Sequence, residues 1–384
     1  MFTQEWIRKF QQSPTPFYFC DIDLLRKTLS AAKKSADEHG YHIHYALKAN
    51  FDDRLLSIIR TQGFGADCVS GNEVKKAIET GFPAANIFFA GVGKTDAEIT
   101  IALERGIGCF NCESAEEIAV IDGLARKMDK FAPIALRLNP DIDAKTHRYI
   151  TTGKEENKFG ISISQLENVI GKVQRLSHIR LLGIHFHIGS QITDMSVFKQ
   201  LCLRVNAIQQ QLSEKNIRLK HINLGGGLGV NYENPDAQII PDFQQYFSIV
   251  RQHLKPFPEQ TIHFELGRAL VGQSGSLISR VVFVKQGLTR KFVILDAGMT
   301  DLIRPSLYQA SHKIENLSSN LPETTYDVVG PICESADTFA KKMLLPETRR
   351  GDLMAIRTAG AYARVMASHY NLRDIAPVMY SDEI

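Results

Sequence analysis

Short β-rich runs alternate with helix-length amphipathic segments from residue 41 to residue 267, and this alternation constrains the fold more than any other feature of the chain. The segments between the runs, such as GNEVKKAIETG and SAEEIAVIDGLARK, repeat apolar residues at three- and four-residue spacing. Eight strand and helix units in this order predict an α/β fold, a (β/α)8 barrel, with a doubly wound sheet as the alternative. The eight predicted strands are residues 41–49, 64–70, 86–91, 106–112, 131–139, 179–189, 219–227 and 261–267.

The sequence pattern changes after about residue 272, where β-branched runs separated by turns replace the helical periodicity. These runs, LISRVVFVK, KFVILDAG, TYDVVG and DLMAIRTAG, predict a second, mostly β domain. The strand-like run TPFYFCD at 15–21 precedes the first barrel unit, so we expect it to pair with that domain. The predicted division is a cofactor-binding barrel over residues 25–270 and a β-rich domain formed by residues 1–24 and 271–384.

Composition excludes several classes of protein. The chain has 45 basic and 42 acidic side chains, a formal charge of +3 and no long basic run, so we expect no nucleic-acid partner. No apolar stretch approaches the roughly 20 residues of a membrane span, and the N-terminal residues lack the apolar core of a secretory signal. We therefore expect no membrane association and a cytoplasmic location.

The six cysteines do not form the pattern of a disulfide framework in a chain of 384 residues. Cys109 and Cys112 make one CxxC, but no second pair of Cys or His lies nearby at zinc spacing. We expect both to be packed strand residues, with a redox or metal role as the alternative.

Polar residues occupy the C-terminal ends of the predicted strands, which is where barrels place catalysis. A lysine at the end of an apolar strand is costly to bury in its charged form, so a lowered pKa and a neutral amine that forms Schiff bases are the expected outcome. The opposing interpretation of Lys48 is a surface residue with its stem packed on apolar neighbours. The strand-end residues are Lys48, Asp67, Arg137, Asn139, His185, His187, Ser190, Gly225, Gly226, Gly227, Glu265 and Arg268.

These strand ends would suit an aldehyde cofactor that carries a phosphate. The three glycines at 225–227 let backbone N–H groups approach an anion, and the loops after the seventh and eighth strands commonly bind phosphate in barrels. An acid such as Glu265 can hold a pyridinium nitrogen, and His187 can lie against a ring. We therefore predict pyridoxal 5'-phosphate, with packing or metal binding as the alternative for the two histidines.

Seven motifs, in order along the chain, resemble those of the diaminopimelate decarboxylases, a family of barrel-type, fold type III pyridoxal phosphate enzymes. The resemblance runs from about Thr15 to past Tyr370 and departs at Leu266, where the family usually has proline. The motifs are YALKAN at 45–50, HFHIGSQI at 185–192, GGGLGV at 225–230, ELGRALVG at 265–272, IRPSLYQA at 303–310, GPICESAD at 330–337 and AGAYA at 359–363.

The resemblance implies which residues bind the cofactor. It makes Lys48 the Schiff-base lysine, His187 the residue stacked on the ring and Glu265 the partner of the ring nitrogen. A carboxylate there keeps that nitrogen protonated and so favours decarboxylation. The implied phosphate-binding residues are Ser190, Gly226, Gly227, Gly267, Arg268 and Tyr362.

The resemblance also implies the substrate contacts. Arg268, Arg304 and Tyr308 would bind the carboxylate at the non-reacting end of the substrate, with Tyr362 beside them, and Glu334 would bind its distal ammonium. Ornithine and arginine carry no distal carboxylate and would leave two arginines unpaired, which discriminates against them. The alternative for Arg304 and Tyr308 is a surface ion pair and a packed aromatic residue.

The implied reaction is decarboxylation of meso-2,6-diaminopimelate at its D centre to L-lysine and carbon dioxide, the last step of lysine biosynthesis. Cys333 would donate the proton to the product. In such enzymes the Cys-Glu-Ser loop belongs to the neighbouring subunit, which implies a homodimer with shared active sites and no metal. The alternatives are a decarboxylase of carboxynorspermidine or another basic amino acid, a metal hydrolase using His185, His187 and Asp67, and a non-catalytic pyridoxal phosphate carrier.

Overall fold

The computed structural model describes residues 2–142 and 158–384, which group into two compact units. The barrel unit comprises Leu29–Gly229 and Asp242–Gly267, and the β-rich unit comprises Met1–Thr28, Val230–Pro241 and Arg268–Ile384. The segment Val230–Pro241 falls inside the range that the sequence assigned to the barrel, yet its contacts group it with the β-rich unit.

The described residues form strands and helices that alternate through the barrel unit and give way to strands after it. The helices are α1 (Gln4–Gln12), α2 (Ile22–Asp37), α3 (Asp53–Thr61), α4 (Gly71–Thr80), α5 (Asp96–Arg105), α6 (Ala115–Lys127), α7 (Leu166–Val173), α8 (Ser196–Glu214), α9 (Phe243–His253), α10 (Arg268–Val271) and α11 (Arg304–Tyr308). None of these helices is both long enough and apolar enough to cross a membrane. The strands are β1 (Phe17–Cys20), β2 (His42–Ala46), β3 (Gly65–Cys68), β4 (Ile87–Phe89), β5 (Cys109–Cys112), β6 (Ala132–Asn139), β7 (Ile161–Ser162), β8 (Ile179–His185), β9 (His221–Asn223), β10 (Thr261–Leu266), β11 (Gly275–Gln286), β12 (Lys291–Leu295), β13 (Ile314–Asn316), β14 (Glu323–Val329), β15 (Thr338–Pro346), β16 (Leu353–Ile356) and β17 (Val378–Tyr380).

Eight parallel strands close the barrel. The ring runs β2, β3, β4, β5, β6, β8, β9 and β10, and it closes where β10 pairs with β2. The short strand β7 pairs with β6 and lies outside this ring. Each of the eight strands lies within a range predicted from the sequence, so the (β/α)8 prediction is confirmed and the doubly wound alternative is wrong.

Capping side chains set where the barrel helices begin. The Ser70 side chain accepts the N–H of Glu73 at the start of α4, and Thr95 and Glu98 form a reciprocal capping box at the start of α5. Gly81 ends α4 in the left-handed conformation, with a φ of 92°. Local sequence therefore fixes the helix ends and, with them, the loops between helices and strands.

The β-rich unit confirms the expected partner of the N-terminal strand. Strand β1 pairs antiparallel with β11, with Phe17 opposite Ile278. Phe10, Phe17 and Phe19 pack with Ile278 and Leu353 in one apolar cluster. Because these side chains come from both ends of the chain, their burial joins the N-terminal segment to the C-terminal strands.

Five of the six cysteines are buried and Cys333 is exposed, and none of the six, all of which lie in the described ranges, forms a disulfide bond. Burial raises the pKa of both Cys109 and Cys112, which keeps these thiols protonated within β5. This environment favours their interpretation as packed strand residues.

Candidate active site

Lys48 lies in a short 3-10 turn, Leu47–Ala49, directly after β2. The Tyr45 hydroxyl donates to the carbonyl of Asn50 at 2.8 Å and holds this turn. The register of β2 and β3 places Ala46 opposite Asp67, so the Lys48 Nζ lies 3.0 Å from Asp67 Oδ2. The strand-end lysine therefore forms an ion pair at the C-terminal end of the barrel.

Asp67 is an uncommon carboxylate because it is wholly buried. Burial and the nearby charge of Glu265 raise the pKa of Asp67 to about 7, against the opposing effect of Lys48. Its Oδ1 is buried and accepts no hydrogen bond from the described residues. Near neutral pH this group therefore sits between its two protonation states, with Lys48 as its compensating charge.

Glu265 on β10 is buried and held by three donors. Its Oε1 accepts from Asn111 Nδ2 at 2.9 Å and from Asn223 Nδ2 at 2.7 Å, and its Oε2 lies 3.0 Å from His185 Nε2. Burial alone would raise the pKa of Glu265, but His185 and Lys48 outweigh it and hold that pKa below its usual value. Glu265 therefore remains ionised in the middle of the barrel.

His187 follows β8 and is held in its neutral form. Its Nδ1 accepts the N–H of Gly226 at 3.3 Å. Burial, together with the positive charges of Arg137 and Lys48, lowers the pKa of His187 well below its usual value. Arg137 is itself fixed, because its Nη1 donates to Glu113 Oε1 at 2.5 Å. A neutral imidazole suits stacking on a cationic ring.

The glycine run after β9 leaves no room for side chains. A Cβ at Gly226 would lie 1.9 Å from the carbonyl oxygen of Glu265, and one at Gly225 would lie 2.1 Å from that of Phe186. Gly225 and Gly227 also have left-handed φ angles of 67° and 112°. The backbone can turn closely here and expose N–H groups to an anion.

The barrel residues fit a cofactor with an aldehyde, a basic ring nitrogen and a phosphate. They include an amine at Lys48, an ionised acid at Glu265, a neutral ring at His187 and a glycine turn from which side chains are sterically excluded. Ser190 lies in the segment after β8, and Gly267 directly follows β10, so both residues lie beyond the C-terminal ends of barrel strands. This donor set matches pyridoxal phosphate.

The β-rich unit buries the two arginines predicted to bind substrate. Arg304, at the start of α11, is 4% exposed, and its Nη1 lies 2.7 Å from His312 Nε2. Burial and the charge of Arg268 lower the pKa of Arg304 to about 10, while Tyr232 opposes the shift. Its Nε makes no hydrogen bond, and its guanidinium makes no ion pair, with any residue in the described ranges. Tyr308 stands one turn further along the same helix.

Arg268 lies between two tyrosines of the same unit. Its Nη1 donates to the hydroxyl of Tyr232, and its guanidinium carbon lies 4.7 Å from the ring centroid of Tyr362. Tyr362 has a positive φ of 56°. The two predicted ligands Arg268 and Tyr362 are thus brought into direct contact.

The Cys333-Glu334-Ser335 loop is exposed and held by the chain near residue 370. The N–H of Cys333 donates to Asn371 Oδ1 at 3.1 Å, and the Tyr370 hydroxyl donates to Glu334 Oε1 at 2.7 Å. Two residues of the predicted site are therefore oriented by two neighbours that the sequence did not single out.

Sequence reasoning missed four residues of these clusters. Asn111 is the second-last residue of β5, and Asn223 is the last residue of β9. The search for polar residues at the C-terminal ends of strands, which found Lys48, would therefore also have found these two. No local pattern marks Tyr232 or His312 as neighbours of Arg304. As for a metal, the described residues include no cluster of three or more His, Cys, Asp or Glu side chains suited to one.

Comparison with known proteins agrees with this geometry. The family model described as pyridoxal-dependent decarboxylase, pyridoxal binding domain, matches residues 22–272. The diaminopimelate decarboxylase of Bacteroides thetaiotaomicron is 54% identical over 98% of both chains. The crystal structure of diaminopimelate decarboxylase from Helicobacter pylori complexed with L-lysine has a TM-score of 0.93 and 38% identity, covering 99% of this chain and 94% of that one. The Vibrio vulnificus lysine/ornithine decarboxylase complexed with putrescine, at 22% identity, a TM-score of 0.86 and full coverage of both chains, shares the fold.

The closed barrel, with its strand-end lysine, ionised glutamate and glycine turn, defines the class as a pyridoxal-dependent barrel enzyme. The chain belongs to the diaminopimelate decarboxylase branch of the pyridoxal-dependent decarboxylase family. The family assignment made from the sequence motifs is thereby confirmed.

Proposed function

We propose that this protein uses pyridoxal 5'-phosphate to decarboxylate meso-2,6-diaminopimelate at its D centre, giving L-lysine and carbon dioxide. The observation that carries the proposal is the buried guanidinium of Arg304, which has no carboxylate partner among the described residues. An uncompensated buried charge is costly, so a carboxylate ligand accounts for it. The name of the Bacteroides relative and the L-lysine in the Helicobacter complex support a substrate with an amino-acid end.

The cofactor would be held mainly by residues at the strand ends. Pyridoxal phosphate, when bound, offers an electron sink for the pair left as carbon dioxide departs. Glu265 is ionised and surrounded by fixed donors, so it favours a protonated ring nitrogen. The residues proposed to hold the cofactor are Lys48, His187, Ser190, Gly226, Gly227, Glu265, Gly267, Arg268 and Tyr362.

Two groups of residues would select the distal end of the substrate. Arg268, Arg304 and Tyr308 would bind its carboxylate, because guanidinium forks match both carboxylate oxygens. Glu334 would bind the distal ammonium. A substrate without the carboxylate, such as ornithine, leaves Arg304 buried and unpaired, which is why we expect it to be rejected.

We also propose that Cys333 Sγ holds the proton delivered to the carbon that loses carbon dioxide, and that this thiol serves the partner's site in a homodimer. Lys48→Ala and Cys333→Ala chains would then each be inactive alone. Mixed and allowed to exchange subunits, they would recover up to about a quarter of wild-type activity, since half of the dimers would carry one complete site. No recovery despite demonstrated exchange would place both residues in sites within one chain.

The reaction is tested on purified protein with added pyridoxal phosphate. The substrates are meso-diaminopimelate, its LL isomer, ornithine, arginine and carboxynorspermidine, and the amine products are quantified. Lysine from the meso compound alone supports the proposed reaction and the choice of the D centre. Product from another substrate, or none from any, would refute the proposed substrate while leaving the family assignment intact.

A further inference from the structure

The two arginines of the β-rich unit share the ring of Tyr232. The guanidinium carbon of Arg304 lies 4.2 Å from the centroid of that ring, and that of Arg268 lies 5.7 Å from it. The Tyr232 hydroxyl also accepts a hydrogen bond from Arg268 Nη1. Contact with an aromatic face stabilises a guanidinium and restricts its rotation. Tyr232 therefore holds two mutually repelling cations in defined orientations.

His312 contacts Arg304 through one ring nitrogen and the backbone through the other. His312 Nε2 lies 2.7 Å from Arg304 Nη1, and His312 Nδ1 lies 2.8 Å from the carbonyl oxygen of Arg357. A carbonyl only accepts, so Nδ1 carries the proton and Nε2 accepts from Arg304. Burial and the charge of Arg304 lower the pKa of His312 to about 3, which keeps the ring in this neutral form.

A rigid frame holds Tyr232 and His312 in place. The N–H of Lys313 donates to the carbonyl of Tyr232 at 2.9 Å. Asp236 accepts from Lys313 Nζ at 2.6 Å and from Arg357 Nη2 at 3.2 Å. These contacts attach the segment Val230–Pro241 to the residue before β13 and to the residue after β16, within the β-rich unit.

We propose that Tyr232 and His312 are positioning residues for substrate recognition, which orient the guanidinium groups of Arg268 and Arg304 toward the carboxylate at the distal end of the substrate. This inference rests on the proposed function, because it is diaminopimelate that carries this carboxylate. A guanidinium that is aligned in advance loses less freedom on binding. Loss of either positioning residue is therefore expected to weaken recognition of the carboxylate more than the chemical step.

The test compares two substitutions that differ in which ring nitrogen they replace. His312→Gln retains an acceptor near the Nε2 position, whereas His312→Asn retains only a donor near Nδ1. In the holoenzyme, His312→Asn should raise the KM for meso-diaminopimelate about tenfold with kcat within about twofold, and His312→Gln should stay within about threefold of wild type.

Direct binding separates positioning from a general loss of structure. L-Lysine retains the distal carboxylate, whereas cadaverine lacks it. By isothermal titration of the holoenzyme, His312→Asn should weaken L-lysine binding about tenfold and leave cadaverine binding unchanged. Equal weakening of both ligands, or an unchanged affinity for L-lysine, would overturn the positioning role.

Substitutions of Tyr232 provide a second, independent test, should His312→Asn fail to fold. Tyr232→Phe keeps the ring beneath Arg304, whereas Tyr232→Leu removes it, so L-lysine affinity should fall much further in the Leu variant. Equal affinities in the two variants would contradict the inference. Failure of the proposed function looks different, because the wild-type holoenzyme would then bind neither meso-diaminopimelate nor L-lysine.

Discussion

Lys48 and Asp67 form an ion pair in which only the lysine reaches solvent. Their Nζ–Oδ2 distance is 3.0 Å, and their side chains are 36% and 0% exposed. Burial of the carboxylate raises the pKa of Asp67 to about 7, so keeping it charged costs stability. The ion pair thus lowers stability but holds Lys48 in place at the end of its strand.

Replacing Asp67 should change how stability depends on pH. The pKa of Asp67 in the folded protein, about 7, lies above its unfolded value of about 3.9. Between these two pH values the folded state binds more protons than the unfolded state. The free energy of unfolding therefore falls as the pH rises from about 3.9 to about 7. Asp67→Asn removes this pH-dependent loss of stability. In urea unfolding of the cofactor-free protein, the free energy of unfolding of the variant minus that of the wild type should therefore increase by about 2 kcal/mol from pH 5 to pH 8. A difference that does not vary with pH would contradict the assigned pKa.

Gly226 should tolerate no side chain. Its Cβ would meet the Glu265 carbonyl oxygen at 1.9 Å, whereas a Cβ at Gly123 in α6 has no atom within 4 Å. Gly226→Ala should lower the free energy of unfolding by about 3 kcal/mol and weaken cofactor binding. The matched Gly123→Ala should raise that free energy by about 0.5–1 kcal/mol, since alanine favours helices. Equal stability of the two variants would refute the steric argument.

Four histidines at strands β2, β9 and β10 should make the barrel sensitive to acid. His44 Nε2 lies 3.0 Å from His263 Nδ1, and the His263 ring also contacts those of His42 and His221. Burial lowers the pKa of all four, and that of His44 to about 4. In the unfolded chain a histidine takes up a proton below about pH 6.5, whereas folded His44 does so only near pH 4. The free energy of unfolding therefore falls as pH drops from 6.5 to 4.

Removing one of these histidines should reduce that fall. When the pH is lowered from 7 to 4.5, the free energy of unfolding of His44→Gln should fall by about 2 kcal/mol less than that of the wild type, as measured by chemical unfolding. The exposed His369 is the matched control, and His369→Gln should follow the wild-type profile. Parallel profiles for all three proteins would show that the cluster does not set acid stability.

Asn371 should affect the reaction by holding the Cys333 loop. Its Oδ1 accepts the Cys333 N–H at 3.1 Å, and its φ of 55° is one that glycine adopts without strain. Asn371→Gly should lower kcat about tenfold through loss of orientation, while Asn371→Asp keeps the accepting oxygen and most of the activity. Steady-state kinetics with meso-diaminopimelate compare the two, and equal kcat values would show that this hydrogen bond is dispensable.

The strands of the barrel were predictable because each rests on a local pattern, but the predicted C-terminal ends of two strands lie four residues beyond the observed ones. The sequence placed the end of the seventh strand at residue 227, whereas β9 ends at Asn223. Gly225 and Gly227 have left-handed φ angles that cannot continue a strand. The predicted run through residue 189 likewise ends at His185, before Gly189, whose φ is 151°.

By itself, the sequence determined the order of the elements, the (β/α)8 barrel and the strand-end positions of Lys48 and Glu265, because the periods of helices and strands are local. Only the tertiary structure decided that Asn111 meets Glu265 across 154 residues and that Tyr232 lies against Arg304. Such contacts depend on strand register and on packing between distant segments, and a local pattern encodes neither.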